Sequence, residues 1–198
     1  VVIITGASMG IGKAMAQILA DEGCHVVVAA RSVDKLEQVV AAIRAKGRRA
    51  LAVGTDVADR DSVKRMVAAA MAEFGRIDIL INNAGGPVAG AAYPLERSDD
   101  FFDIMEKLTL SNITPEDWNR IFNINFYGAV YCTQAVLPIM KEQGCGHIIN
   151  TSSKAGKIHA DVVPGMIAYA SAKGALSRFT EVLAFELMCE VSPIRVNA

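Results

Sequence analysis

Short apolar stretches alternate with longer stretches of helical period along most of this 198-residue chain. The apolar stretches are nearly continuous, which is typical of strands buried on both faces of a parallel sheet. The longer stretches place apolar residues three and four positions apart, as helices that cover a sheet do. This alternation predicts an α/β fold with three layers, in which a doubly wound parallel sheet lies between two layers of helices.

The elements predicted from this pattern divide into two similar halves. Strands are expected at residues 1–5, 25–30, 50–54, 77–82, 146–151 and 193–197. Helices are expected at residues 11–21, 33–46, 61–74, 115–142 and 167–190. Residues 1–54 and 77–198 then form two βαβ halves, which predicts the strand order 3-2-1-4-5-6 of the Rossmann-type dinucleotide-binding fold.

The length of the chain predicts a single domain over residues 1–198, since domains average about 150 residues. The chain opens with Val1 inside one apolar run and stops at Ala198 directly after another. We therefore interpret it as a fragment that lacks its C-terminal part.

Two segments interrupt the alternation. Residues 86–113 show no strand pattern and follow a predicted strand end, where open α/β sheets bind their ligands. This segment is either a lid over the site or a solvated surface insertion. Residues 154–166 are expected at the same edge of the sheet, where they would line a substrate pocket.

Charge and cysteine content exclude several classes of function. Lys and Arg number 20 against 21 Asp and Glu, so the net charge of −1 does not fit a nucleic-acid-binding protein. No apolar run reaches the roughly 18 residues of a membrane span. The four cysteines have no Cys-x-x-Cys spacing and the three histidines are scattered, so we expect no metal site and a cytoplasmic protein with reduced thiols.

A glycine-rich turn follows the first predicted strand. Its sequence is Thr-Gly-Ala-Ser-Met-Gly-Ile-Gly at residues 5–12, and a helix follows directly. A pyrophosphate can approach the N–H groups of a helix N-terminus only where no Cβ atom holds it away. The three glycines, Gly6, Gly10 and Gly12, therefore predict a dinucleotide site.

The end of the second predicted strand indicates which dinucleotide binds. A carboxylate there would accept hydrogen bonds from the adenosine ribose and repel a 2′-phosphate, whereas Arg31 attracts that phosphate. We therefore expect NADP, with NAD as the alternative.

The predicted catalytic pair lies at the start of the last helix. Tyr169 and Lys173 are four residues apart, so both side chains lie on one helical face. An ammonium about 4 Å from the phenol would stabilise the phenolate and make the tyrosine an acid–base catalyst. Ser153, at the end of the fifth predicted strand, would donate a hydrogen bond to a substrate carbonyl. Ser152 is the competing candidate, because strand alternation turns only one of the two towards the site.

Together, several motifs resemble those of the short-chain dehydrogenase/reductase family. They are the glycine-rich turn, Asn-Asn-Ala-Gly at residues 82–85, Asn-Ile-Asn-Phe-Tyr-Gly at residues 123–128, Ser153, and Tyr169 with Lys173. They occur in the family's order and extend over essentially the whole chain. The resemblance implies an enzyme that transfers a hydride between a nicotinamide cofactor and a carbonyl or secondary alcohol.

The resemblance also assigns roles to individual residues. Tyr169 would be the acid/base, Lys173 its partner and a ligand of the nicotinamide ribose, Ser153 the carbonyl-orienting group, and Asn125 the anchor of a proton-relay water. The cofactor residues it implies are Gly6, Ser8, Met9, Gly10, Ile11, Gly12, Arg31, Asp56, Val57, Asn83, Ala84, Gly85, Tyr169 and Lys173.

Two departures from the family pattern bear on these roles. Met9 stands where many NADP-preferring members have a basic residue, which keeps NAD as an alternative. The interval of 16 residues from Ser153 to Tyr169 is longer than usual.

The resemblance further implies a homodimer or homotetramer, with the helix over residues 115–142 packed against a partner subunit. The alternative function is a cofactor sensor without turnover.

Overall fold

The computed structural model of the protein describes residues 1–87, 99–157 and 164–198. Six parallel strands form one sheet in the order β3-β2-β1-β4-β5-β6. The predicted order is therefore confirmed. The strands are β1 (Val2–Thr5), β2 (Val26–Ala30), β3 (Ala50–Gly54), β4 (Ile79–Asn82), β5 (Gly146–Asn150) and β6 (Ile194–Asn197).

Helices cover both faces of the sheet. They are α1 (Gly10–Asp21), α2 (Val33–Arg44), α3 (Arg60–Phe74), α4 (Asp99–Lys107), α5 (Pro115–Phe122), α6 (Gly128–Gln143) and α7 (Ile167–Cys189). Residues of β1 alternate between the two cores: Val2 and Ile4 pack with α1 and α2, whereas Ile3 packs with α3, α6 and α7. All three side chains are fully buried, as the apolar sequence of the strand predicts.

The register of the strands brings functional segments to one edge of the sheet. In the middle of the sheet, Ile3 of β1 pairs with Val27 of β2 and with Leu80 of β4. Because the strands are parallel, the residues that follow each strand lie at the same carboxyl edge. The glycine-rich turn, Arg31 and residues 82–85 are therefore neighbours in space.

The helix predicted over residues 115–142 is interrupted. Thr114 caps α5 as expected, since its Oγ1 accepts a hydrogen bond of 3.1 Å from the Asp117 N–H. Residues Asn123–Tyr127 then form a π-helical turn, in which the Gly128 N–H donates to the Asn123 carbonyl five residues earlier. The wider turn places one extra residue in the helix, a geometry that is frequent at functional sites.

The segment over residues 86–113 contains a helix that the sequence pattern did not predict. This helix is α4, and tight turns lead from it to Ile113. Residues 88–98 lie outside the described residues, so the choice between a lid and a surface insertion remains a prediction for them. Within the predicted pocket segment 154–166, Lys154–Gly156 form a 3-10 turn, and residues 158–163 lie outside the described residues.

Among the helices of the described ranges, none combines the length and the apolar character that crossing a bilayer requires. The same ranges contain no group of three or more His, Cys, Asp or Glu side chains that could hold a metal ion.

Candidate active site

The glycine-rich turn connects β1 to α1 and leaves the N-terminus of this helix accessible. Met9 is the N-cap residue, no described side chain caps it, and the first turn holds no acidic residue. Gly6 and Gly10 have positive φ values of 68° and 54°. The uncapped N–H groups and the positive end of the helix dipole give this turn the properties of an anion site.

Gly12 shows why a side chain is excluded from this turn. A Cβ atom on Gly12 would overlap the Gly6 carbonyl oxygen and lie 2.6 Å from Asn83 Nδ2. Of the other residues of the turn, Met9 and Ile11 are 44% and 67% exposed, and Ser8 is half-buried. The three side chains thus lie around the helix N-terminus, and their contact with phosphates stays a prediction.

Asn83 supports the turn from the neighbouring strand. Its Nδ2 donates to the Thr5 carbonyl at 3.0 Å and lies 3.4 Å from the Gly6 carbonyl. Thr5 Oγ1 accepts hydrogen bonds from the N–H groups of Asn83 and Ala84, at 3.0 and 3.1 Å. Asn83 is one of the predicted cofactor residues, and that role stays a prediction; in the structure its amide holds the glycine-rich turn in place.

Arg31 lies exposed directly after β2. It lines a cavity of about 260 Å³ with Asp56 and with residues of α5 and the π-helical turn, namely Glu116, Asn119, Arg120, Asn123 and Ile124. Asp56 accepts a hydrogen bond of 3.0 Å from the Ala58 N–H, which fixes its loop. Val57 is buried against the backbone of Gly128. The cavity therefore joins two of the predicted cofactor residues, Arg31 and Asp56, whereas Val57 is not among its lining residues.

Lys173 is deeply buried at the centre of the site. It is 3% exposed, and its Nζ donates to the Thr151 carbonyl at 2.8 Å. Burial lowers the pKa of this amine from 10.5 to about 8, because a charged group loses its hydration there. Nζ lies 5.8 Å from the centroid of the Tyr169 ring. The two side chains therefore share one helical face, as predicted.

The two serines after β5 have different environments. The Ser152 hydroxyl lies 2.7 Å from the hydroxyl of Ser177, one helical turn beyond Lys173. The Ser153 Oγ accepts a hydrogen bond of 3.2 Å from the Ala155 N–H, and no side chain or carbonyl of the described residues accepts its hydroxyl proton. Ser152 is thus engaged by α7, whereas Ser153 keeps a donor for a ligand.

Asn125 is held in the middle of the π-helical turn. It is 1% exposed, and its Nδ2 donates to the carbonyls of Gly86 and Ile121 at 3.0 and 2.9 Å. Its Oδ1 accepts from the Gly86 N–H at 3.0 Å. A Cβ atom on Gly85 would overlap this oxygen and lie 3.5 Å from Lys173 Nζ. Asn125 therefore fixes the segment after β4 beside Lys173.

The sequence analysis did not predict a buried network of hydrogen bonds between two asparagine side chains and a threonine. Asn82 donates to the Asn150 side chain at 2.9 Å, and Asn150 donates to Thr180 Oγ1 at 2.9 Å. These bonds join β4, β5 and α7 below the site. The signal that could have identified them is the pair of asparagines at the ends of two apolar strands, since a buried amide needs a partner.

Tyr169 is half-buried in the first turn of α7. Its ring packs on a small apolar cluster built around Leu108, Ile121 and Ala168. Lys173 follows on the same side of the helix, and Ser153 precedes the 3-10 turn that packs on α7 through Gly156. Asn125, Ser153, Tyr169 and Lys173 thus come from segments that meet at the carboxyl edge of the sheet.

Comparisons with known proteins agree with this geometry. A family model described as short chain dehydrogenase matches residues 1–198. An uncharacterized oxidoreductase of Listeria monocytogenes is 38% identical over 195 residues, which are 98% of this chain and 70% of that protein.

Two solved structures are also similar. A metagenomic short-chain oxidoreductase in complex with NADP has a TM-score of 0.81 and 32% identity, over 98% of this chain and 79% of that one. A short chain dehydrogenase/reductase from Burkholderia phymatum in complex with NAD has a TM-score of 0.83 and 29% identity, over 98% of this chain and 62% of that one.

The sheet, the glycine-rich turn and the polar groups at its edge define an oxidoreductase of the dinucleotide-binding α/β class. The chain belongs to the short-chain dehydrogenase/reductase family.

Proposed function

We propose that the protein is an NADP-preferring oxidoreductase that interconverts a small ketone and the corresponding secondary alcohol. The observation that supports this proposal is the placement of Lys173, whose Nζ lies 5.8 Å from the centroid of the Tyr169 ring and donates to the Thr151 carbonyl, two residues before Ser153. The uncapped N-terminus of α1 follows β1 at the same carboxyl edge of the sheet. The bound nicotinamide supplies or accepts the hydride. The chain's own residues bind the dinucleotide, hold the substrate oxygen and move one proton.

Binding of the dinucleotide is assigned to the carboxyl edge of β1, β2 and β4. The N–H groups at the start of α1 would hold the pyrophosphate, and Gly12, which has no Cβ atom, lets α1 pack closely on Gly6 and Asn83. Arg31 would hold a 2′-phosphate at the adenosine end, because a guanidinium pairs with phosphate through two parallel hydrogen bonds. The uncharged Met9 adds no second cation there, so NAD stays the alternative cofactor.

Proton transfer is assigned to Tyr169. In ketone reduction its hydroxyl would donate a hydrogen bond to the substrate oxygen and release the proton as the hydride reaches the carbonyl carbon. The Lys173 ammonium would stabilise the phenolate that remains. The Ser153 hydroxyl would donate a second hydrogen bond to the substrate oxygen. Asn125 uses its side chain to hold Gly86; its role as anchor of a proton-relay water stays a prediction.

The exchange Tyr169→Phe tests this assignment. We expect turnover of ketones by the full-length enzyme to fall by about 100-fold or more, because the proton donor is removed. The dissociation constants of NADPH and NADH, measured by fluorescence titration, should stay unchanged, with NADPH the tighter ligand. Tyr127→Phe is the matched control, since Tyr127 is 43% exposed on another helix; its rate should equal that of the wild type. Native turnover by Tyr169→Phe would contradict the assignment.

A cofactor sensor without turnover is not favoured, because the chain belongs to a family of oxidoreductases. A sensor would bind NADPH and reduce no ketone, so a panel of ketones assayed with the wild-type enzyme separates the two functions.

The free state of all four cysteines, Cys24, Cys132, Cys145 and Cys189, supports the proposal that the protein works in the reducing cytoplasm.

We also propose that copies of the chain associate as a homodimer or homotetramer. The support comes from α7, where Val182, Phe185 and Met188 are 46%, 62% and 65% exposed at intervals of three residues. Such spacing places apolar side chains along one side of a helix. The predicted contact through residues 115–142 stays part of the same proposal.

A further inference from the structure

One buried face of α7 carries three polar side chains. Lys173, Ser177 and Thr180 are 3%, 8% and 4% exposed, and their spacings of four and three residues place them on one side of the helix. Tyr169 lies on the same side, one turn before Lys173. Because buried polar groups need hydrogen-bond partners, the partners of these side chains indicate the role of this face.

Two of the three side chains hold the end of β5. Asn150 Nδ2 donates to Thr180 Oγ1 at 2.9 Å, and Lys173 Nζ donates to the Thr151 carbonyl at 2.8 Å. Both bonds come before Ser153 in the chain. They therefore fix the place where the strand ends, but they leave the direction of the next side chains to other contacts.

The third side chain, Ser177, holds the residue directly before Ser153. Its hydroxyl lies 2.7 Å from the hydroxyl of Ser152. Ser153 has an extended backbone, with a φ of −152° and a ψ of 150°, and successive side chains of an extended backbone point in opposite directions. The bond between Ser152 and Ser177 therefore sets the direction of the Ser153 hydroxyl.

A second contact holds the chain after Ser153. Gly156, in the 3-10 turn, packs on the backbone of α7, since a Cβ atom there would lie 2.6 Å from the Lys173 carbonyl carbon and 2.7 Å from the Gly174 nitrogen. Ser153 is thus held between two contacts with α7. The bond made by Ser177 is the nearer of the two along the chain.

We propose that Ser177 is a positioning residue, which acts through Ser152 to hold the Ser153 hydroxyl beside Tyr169 at the substrate oxygen. This inference rests on the proposed function, which assigns Ser153 and Tyr169 to the same oxygen. Ser177 acts at a distance, because its own hydroxyl is engaged by Ser152. One helix thereby carries the proton donor and, through one hydrogen bond, directs the second donor.

The first test is Ser177→Ala in the full-length enzyme. The donor on Ser153 matters most when the substrate oxygen gains charge in the transition state. We therefore expect kcat for butanone to fall about five- to tenfold, the scale of one lost hydrogen bond. The KM for butanone and the dissociation constant of NADPH should stay within about twofold. Ser152→Ala removes the same bond from its other side and should give the same fall, so it keeps the inference testable if Ser177→Ala does not fold.

The double variant Ser152→Ala/Ser177→Ala shows whether the two hydroxyls act together. If Ser177 acts through Ser152, the double variant is as fast as either single variant. Independent effects would multiply to a fall of about 25- to 100-fold, and that result would overturn the inference.

Thr133→Val is the matched control for the loss of a buried hydroxyl. Thr133 is 2% exposed in α6, and its Oγ1 accepts a hydrogen bond from Asn82 of β4 rather than from the segment after β5. Its kcat should equal that of the wild type, although thermal unfolding should show a loss of stability. An equal fall of kcat in Thr133→Val and Ser177→Ala would assign the effect to stability and would overturn the inference.

Hydrogen exchange separates this inference from the proposed function. The Ala155 N–H donates to Ser153 Oγ, so its exchange rate reports on the position of this side chain without turnover. We expect this amide to exchange about five- to tenfold faster in Ser177→Ala than in the wild type. The Gly75 N–H, which donates to the Met71 carbonyl at the end of α3, is the reference and should not change. If the wild type reduces no ketone, the proposed function fails, and Ala155 exchange still decides about Ser177. An unchanged exchange rate would overturn the inference.

Discussion

At the scale of single residues, Lys173 shows what the sequence could and could not predict. The four-residue spacing placed Lys173 and Tyr169 on one helical face, and the structure agrees. The hydrogen bond from Nζ to the Thr151 carbonyl could not be predicted, because it depends on how α7 docks on β5. That bond and the burial around it hold the amine at a fixed place in the site.

The burial of Lys173 makes stability depend on pH. Its pKa is about 8 in the folded chain against an ordinary 10.5, so between these values the unfolded chain binds more protons. The free energy of unfolding then rises with pH relative to Lys173→Met, which has no amine. From pH 7 to pH 10.5, the free energy of unfolding of the wild type should rise by on the order of 3 kcal/mol relative to that of Lys173→Met.

Urea unfolding of both proteins at several pH values measures this difference. Other titrating groups are common to the two proteins and cancel. Lys35→Met, at an exposed position of α2, is the control and should give a flat difference. If the difference in free energy of unfolding between wild type and Lys173→Met also stays constant with pH, burial does not lower the pKa of the Lys173 amine.

The two serines after β5 illustrate a second limit at this scale. Alternation along a strand indicated that only one of them turns to the site, but β5 ends at Asn150 and both serines lie beyond it. Only the packing of α7 shows that Ser152 pairs with Ser177. The sequence therefore left two candidates, and a contact between distant residues favours Ser153.

At the scale of elements, strands were easier to predict than the interruptions of helices. Buried parallel strands are continuous apolar runs, and their order follows from the alternation with helices. The π-helical turn at Asn123–Tyr127 has the same apolar period as the helices around it, so no local pattern marks it. At its centre lies Asn125, whose amide forms hydrogen bonds with Gly86 across the site, a contact between distant segments that no local pattern indicates.

The helix α4 was missed for a different reason. Its nine residues are fewer than a period analysis needs, and they lie in a segment without strand pattern. The spacing of Ile104, Met105 and Leu108 is the signal that was present. It fits one face of a helix, and the structure places Met105 and Leu108 in the interior.

The turn between β1 and α1 gives a prediction for a whole element. In Gly12→Ala the new methyl group would overlap the Gly6 carbonyl oxygen, so the turn must widen and the phosphate-binding N–H groups must move. We expect the affinity for NADPH to fall at least about tenfold and the stability to fall by roughly 1–3 kcal/mol. Fluorescence titration and thermal unfolding measure the two effects.

The control for this turn is Gly144→Ala. Gly144 has a positive φ of 69°, but no described atom lies within 4 Å of the place that a methyl group would take, so the variant carries the backbone strain without the overlap. It should lose stability and keep its affinity for NADPH. Equal affinities in Gly12→Ala and wild type would exclude the turn from the dinucleotide site.

At the scale of the whole molecule, the two cores are separated by the sheet and the site lies at one edge of it. The apolar face of α7 formed by Val182, Phe185 and Met188 is not needed for either core. A net charge of −1 gives copies of the chain little mutual repulsion. Exposed apolar side chains and weak repulsion together favour association of the chain with itself.

Association through this face predicts that Phe185→Glu shifts the chain towards the monomer. A carboxylate at a position 62% exposed in the single chain would lose its hydration in a contact between copies, which raises the free energy of association. Sedimentation velocity at several concentrations should show oligomers for the wild type and a lighter species for the variant. Ile18→Glu adds the same charge at a residue 60% exposed on α1 and should sediment as the wild type does. A wild type that sediments as a monomer throughout would contradict the proposed association.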